Sequence, residues 1–140
     1  ILLELYPKLL YAKHEAEDFM KKLLIPIMGL LLLSACATGA SVTKINANKA
    51  KEMMDTQEVV VVDVRTEAEY AEGFIPNAIL IPNESIDGAP VELVDKDAII
   101  LVYCRSGNRS AQAAKKLVDL GYTNVYDFGG ILDWPYEIVN

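Results

Sequence analysis

Short unbroken apolar runs at residues 59–62, 78–81 and 98–103 fit β-strands buried on both faces rather than strands with one wet side. A further strand is expected at residues 124–128. Helical signals fill the gaps. Asn48 is placed to cap a short helix ending at Met54. Thr66 with Glu69 three residues on is a capping box, opening a helix that ends near Gly73. A longer helix is expected over residues 108–120, with Ala111, Ala114, Leu117 and Val118 on one face and Gln112, Lys115, Lys116 and Asp119 on the other, stopped by Gly121. Pro82 stops the strand before it, and residues 83–90 read as loop. Strands alternating with helices across short connections predict an α/β domain: an open, mostly parallel sheet with helices on both faces.

The pattern changes toward the N-terminus. Met20-Lys21-Lys22 makes a basic start, residues 23–33 are nearly all apolar, and Leu33-Ser34-Ala35-Cys36 closes the run with small residues before a cysteine. That is a secretory signal layout. The apolar run falls short of the roughly 20 residues that cross a bilayer, and Pro26 and Gly29 interrupt it. Leu-Ser-Ala-Cys resembles the bacterial lipobox, so residues 20–35 are expected to be a lipoprotein signal peptide and Cys36 the lipidated N-terminus of the mature chain. Residues 36–41 then serve as a tether and residues 42–140 as one folded domain. Residues 1–19 begin with Ile1 and bring Glu15, Glu17 and Asp18 where a signal carries base, so they read as a gene-model extension upstream of the true start. The expected location is the cell envelope, with the domain anchored by lipid. Ala37 is not the aspartate that marks inner-membrane retention, which favours the periplasmic face of the outer membrane in a Gram-negative cell.

Charge and composition narrow the chemistry. The chain carries 13 Lys and Arg against 20 Asp and Glu, a net charge of −7, and the lysines and acids before Cys36 cancel. An acidic domain without basic clusters argues against nucleic acid as a partner. The single histidine, His14, lies ahead of the mature domain, which leaves no imidazole for a Ser-His-Asp or Cys-His arrangement and none for a metal. No metal or cofactor is expected, and the domain is expected to be a monomer. With Cys36 lipidated, Cys104 is the only free thiol, without a partner for an internal disulfide.

Cys104-Arg105-Ser106-Gly107-Asn108-Arg109-Ser110 joins the carboxyl end of a buried strand to the start of a helix, the crevice where open α/β sheets bind ligands. A helix start offers unpaired N–H groups, and Gly107 lets the loop curl so that they aim at the sulfur. Arg105 and Arg109 add positive charge, which makes Cys104 nucleophilic at neutral pH without histidine. A lone cysteine is more often a small buried hydrophobe, but that does not account for two arginines, a glycine and a helix start following at once. At least one of Ser106 and Ser110 is expected to cap the helix. Asp63 and Arg65, at the end of the first buried strand, are expected to support the site by pairing with each other or bracing the cysteine loop.

From about residue 42 to residue 134 the chain resembles a single-domain rhodanese, on Asp63-Val64-Arg65, Gly73-Phe74-Ile75-Pro76-Asn77-Ala78, the Cys104 to Ser110 loop, and Gly129-Gly130-Ile131-Leu132-Asp133-Trp134. The resemblance implies a thiosulfate sulfurtransferase. Cys104 would be the nucleophile that attacks the outer sulfur of thiosulfate, releases sulfite, and passes its persulfide sulfur to cyanide or a thiol. The loop from Arg105 to Ser110, with Ser106, Gly107, Asn108 and Arg109, would hold the anionic donor. Four residues separate Cys104 from Arg109, as in the shorter sulfurtransferase loop, whereas related phosphatases and arsenate reductases carry one more. Those two activities, and a non-catalytic sulfur carrier or interaction module, are the alternatives. Phe74 and Asn77 depart from the family, which often has histidine and glycine there. Gly129-Gly130 and Trp134 are expected to close the domain beside the loop, with Trp134 in the core.

Overall fold

The computed structural model describes residues 39–140. The proposed upstream extension, signal peptide and Cys36 lie outside the described residues. Strands β1 (Thr43–Lys44), β2 (Val60–Asp63), β3 (Ile79–Leu80), β4 (Ile99–Cys104) and β5 (Asn124–Gly130) form a 5-stranded sheet in the order β1-β5-β4-β2-β3. Every pairing in it is parallel. Among the described residues an isolated antiparallel bridge, between Phe74 and Val139, lies outside these strands.

Side chains of β4 alternate between two apolar clusters. Ile100, Val102 and Cys104 face one, packed with Val62, Val125 and Leu117; Leu101 and Tyr103 face the other, with Val61, Phe128 and Trp134. Both faces are covered, and for that reason the strand sequence is an unbroken apolar run. Helix α1 (Ala47–Thr56) covers the second face through Ala50 and Met53, and helix α3 (Asn108–Asp119) covers the first through Ala113, Ala114 and Leu117. The short α2 (Glu67–Ala71) follows Thr66, whose capping box forms as the sequence predicts.

Several local expectations are corrected. The cap of α1 is Asn46, in extended conformation (φ −98°, ψ 171°), whose Oδ1 accepts the Lys49 N–H at 2.9 Å. Asn48 lies inside the helix, and its Oδ1 accepts the Tyr136 hydroxyl at 2.9 Å. The buried stripe of α3 is Ser110, Ala113, Ala114 and Leu117, the spacing of one helical face, so Ala113 takes the core place expected of Ala111. Neither serine caps this helix. Its N-cap is Gly107 at φ 99°, with no side-chain cap bond. Strands β2 and β4 start one residue later than the apolar runs suggest, β3 shrinks to two residues, and β5 runs on through Gly130. Within the expected loop, Asn83–Ser85 forms a 3-10 turn.

Candidate active site

The site begins where β4 loses its regular pairing. Between Val102 and Cys104 the register against β5 shifts, so that Cys104 stands opposite Gly130. The chain then rises off the sheet directly over two glycines. A Cβ on Gly130 would lie 2.3 Å from the Arg105 carbonyl oxygen and 2.6 Å from the Ser106 Cα, both backbone atoms that cannot swing aside. The Leu132 N–H donates to that same Arg105 oxygen at 3.2 Å, which pins the loop from below. Gly129-Gly130 therefore lies against the cysteine loop, as the sequence suggests: only a bare backbone fits at Gly130, and Gly129 takes a positive φ of 90°.

Gly107 turns the chain with a positive φ and delivers its N–H to Cys104 Sγ at 3.1 Å. Cys104 is 1% exposed. Ser110 holds the rear of the loop: its Oγ lies 3.0 Å from the Gly107 carbonyl and 3.2 Å from the Gly129 carbonyl, donating between them. Arg105, Ser106 and Asn108 are exposed. The Asn108 Oδ1 accepts from the Gln112 amide at 3.2 Å, within the helix.

Arg109 is engaged from outside the loop. Its two terminal nitrogens donate to Glu69 Oε1 and Oε2, each at 2.7 Å, a two-pronged ion pair about one-quarter exposed on both sides. The bond from Arg109, with help from the Thr66 backbone and hydroxyl, holds the Glu69 carboxyl down at about 2. Glu69 in turn raises Arg109. Glu69 thus does two things with one carboxylate: its Oε2 accepts the Thr66 N–H at 3.1 Å and hydroxyl at 3.0 Å while binding the guanidinium. Glu84, in the 3-10 turn, is a second acid within the field of Arg109. Its carboxyl is held below the usual range by its own backbone N–H, then by the Asn83 amide, with Arg109 and Lys116 adding.

Asp63 and Arg65 pair with each other. Arg65 Nη2 donates to Asp63 Oδ2 at 2.6 Å and Nε to both carboxylate oxygens at 2.9–3.0 Å, all but buried. Burial alone would lower the Arg65 pKa, but the Asp63 bonds outweigh it and the net direction is up. The free side of Nη2 goes to the Gly73 carbonyl at 2.7 Å, and the Tyr103 hydroxyl accepts the Ile75 N–H at 3.1 Å. Burial, followed by the nearby Asp63, pushes the Tyr103 phenol up. The pair also packs on the residue before Cys104, with the Arg65 guanidinium carbon 5.8 Å from the centroid of the Tyr103 ring. Glu69, read from the sequence only as a capping residue, is the site residue that was missed. Its partner lies 40 positions away, and no local pattern links them.

A groove of 470 Å³ lies at the opposite end of the strands, lined among others by Glu58, Glu92, Asp95 and Asp97. Its acidic lining repels sulfur anions. Among the described residues no group of three or more acids, cysteines or histidines could hold a metal.

A parallel α/β sheet with a cysteine loop at the carboxyl end of its central strand, running into a helix start, defines a class of proteins built for thiol chemistry. Residues 46–136 match the family described as rhodanese-like domain, and the chain belongs to that family. A sulfurtransferase of Allochromatium vinosum is 41% identical over 88 residues, 61% of this chain and 79% of that protein. Among solved structures, a Staphylococcus saprophyticus protein superposes with a TM-score of 0.62 at 30% identity, covering 70% of this chain and 99% of the other. A rhodanese from E. coli, solved with anions, superposes at 0.55 with 32% identity, covering 59% and 99%. At the level of the family, this is a sulfurtransferase-type enzyme.

Proposed function

We propose that the protein moves a sulfane sulfur from thiosulfate, or a similar donor, to cyanide or a thiol by way of a persulfide on Cys104. The Cys104 thiolate attacks the outer sulfur of thiosulfate. A bond forms between the two sulfurs, the sulfur–sulfonyl bond breaks, and sulfite leaves with the electron pair. The terminal persulfide sulfur then transfers to the acceptor, which returns the thiolate. The observation that carries this reading is the Gly107 N–H aimed at Cys104 Sγ at 3.1 Å, a fixed donor for the thiolate that attacks. Arg105, Ser106, Asn108 and Arg109 form the mouth through which the donor enters, Ser110 holds the loop from behind, and Asp63 with Arg65 supports the fold beneath. No step needs a metal or cofactor.

The test is thiocyanate formation from thiosulfate and cyanide by the protein and its Cys104→Ser variant. Activity in the first and none in the second is expected. Inactivity in both removes thiosulfate as donor and turns attention to other sulfur donors, then to phosphate ester hydrolysis or arsenate reduction.

We also read Cys36 as lipidated, which tethers the domain in the cell envelope, on the periplasmic face of the outer membrane in a Gram-negative cell. The support is Leu33-Ser34-Ala35-Cys36 after a basic, apolar leader. Among the described residues no helix is long and apolar enough to cross a membrane. Labelled palmitate incorporated into the protein but not into Cys36→Ala is the expected result.

A further inference from the structure

The cysteine loop supplies its anion with two cations, Arg105 and Arg109, and they are not equivalent. Arg105 is exposed, whereas Arg109 spends both prongs of its fork on Glu69 at 2.7 Å. With its carboxyl near 2, Glu69 is a permanent negative charge at any working pH. Glu84 adds a second acid on the same side, on the turn that Lys116 ties to α3 through the Asn83 carbonyl. Once Glu69 is counted with Arg109, the cradle offers about one net positive charge, less than a thiosulfate dianion carries.

Building on the sulfurtransferase reading, we propose that Glu69 is a positioning residue that holds the Arg109 fork and cancels its charge. It thereby biases the Cys104 loop toward sulfur donors of a single negative charge, such as thiosulfonates and organic hydropersulfides, over the thiosulfate dianion. The chemistry is unchanged: a thiosulfonate anion delivers its outer sulfur to the Cys104 thiolate, and a sulfinate leaves with the electron pair in place of sulfite. Only the charge brought beside Glu69 differs, and Coulomb energy scales with that charge.

Scaling gives the inference a quantitative signature. Glu69→Gln keeps an oxygen for the Thr66 capping box and removes the charge. At a separation of about 7 Å and a solvent-like effective dielectric, the lost repulsion is worth about threefold in binding for a monoanion and about tenfold for a dianion. The fold-change for the dianion is the square of that for the monoanion. A merely structural role gives no such relation.

The experiment measures KM and kcat for thiosulfate and for methanethiosulfonate, with cyanide as acceptor, in wild type, Glu69→Gln, Glu69→Asp and Glu84→Gln. Wild type is expected to have the lower KM for methanethiosulfonate. In Glu69→Gln the thiosulfate KM should fall about tenfold and the methanethiosulfonate KM about threefold. Glu69→Asp, which keeps the charge, should hold the wild-type ratio of the two KM values, and Glu84→Gln should shift that ratio the same way as Glu69→Gln but less. If both KM values rise in Glu69→Gln, or both move by the same factor, or only kcat changes, the charge role of Glu69 is overturned while the sulfurtransferase reading stands. If Glu69→Gln does not fold, the ratio in Glu84→Gln decides, and an unchanged ratio overturns the inference. Turnover of neither donor by wild type removes the underlying reading and this inference with it.

Discussion

Two arginine–carboxylate pairs stand in this domain, and they differ in almost everything but chemistry. Asp63–Arg65 is local in the chain and nearly sealed from solvent, and its spare hydrogen bond goes to the Gly73 carbonyl. Glu69–Arg109 joins residues 40 positions apart, stands about one-quarter exposed, and lies at the mouth of the cysteine loop. A sealed pair contributes little net stability against an apolar replacement, yet breaking it strands a charge in a low-dielectric interior. A half-open pair can lose one member to water at small cost, which leaves it free to tune the field around a neighbouring anion.

The comparison breaks most sharply at Asp63. Asp63→Asn leaves the Arg65 guanidinium buried without a counter-charge, and a loss of about 3–5 kcal/mol in unfolding free energy is expected from urea titration. Gly130→Ala should come next. Its Cβ meets the Arg105 carbonyl at 2.3 Å, so the loop must lift, with a cost of about 1–3 kcal/mol and a fall in turnover larger than the fall in stability suggests. A Gly130→Ala enzyme with unaltered kcat would show that the loop does not need this floor.

Glu69→Gln should be the mildest, at about 1 kcal/mol or less at neutral pH. Its dependence on pH has a definite sign. The folded-state pKa is depressed to about 2 from 4.5, chiefly by Arg109, so the stabilisation is complete above 4.5 and drains away as pH falls from there toward 2. Urea midpoints of wild type and Glu69→Gln should therefore converge over that acid range. A gap that persisted at pH 2 would mean that the carboxylate charge is not what stabilises the pair.

Legibility in the sequence followed the range of each interaction. The strands were readable because burial on both faces writes an unbroken apolar run, and the α2 cap because Thr66 and Glu69 lie within one turn. The floor under the loop was readable as Gly129-Gly130 next to a recognisable motif. What escaped were choices made in three dimensions. Asn46 rather than Asn48 caps α1, because the chain enters the helix from β1 in extended conformation two residues earlier. Ser110 turns inward to the Gly107 and Gly129 carbonyls instead of capping, because Gly107 at positive φ already occupies the N-cap. Asn77 sits at φ 64°, a left-handed position that glycine fills without strain and that asparagine tolerates better than most residues. Phe74 stacks on Tyr70 with ring centroids 4.1 Å apart, so a ring is accommodated there by packing. The Glu69–Arg109 pair had no sequence signal at all, because nothing periodic joins a residue of α2 to the first turn of α3.

The central claim is that sulfur is held on Cys104, and the most direct measurement is the intact mass of the protein after incubation with thiosulfate followed by peptide mapping. The account predicts a gain of one sulfur atom on the Cys104 peptide, discharged by cyanide and absent from Cys104→Ser. No gain with any sulfane donor, or a gain that survives in Cys104→Ser, would contradict it.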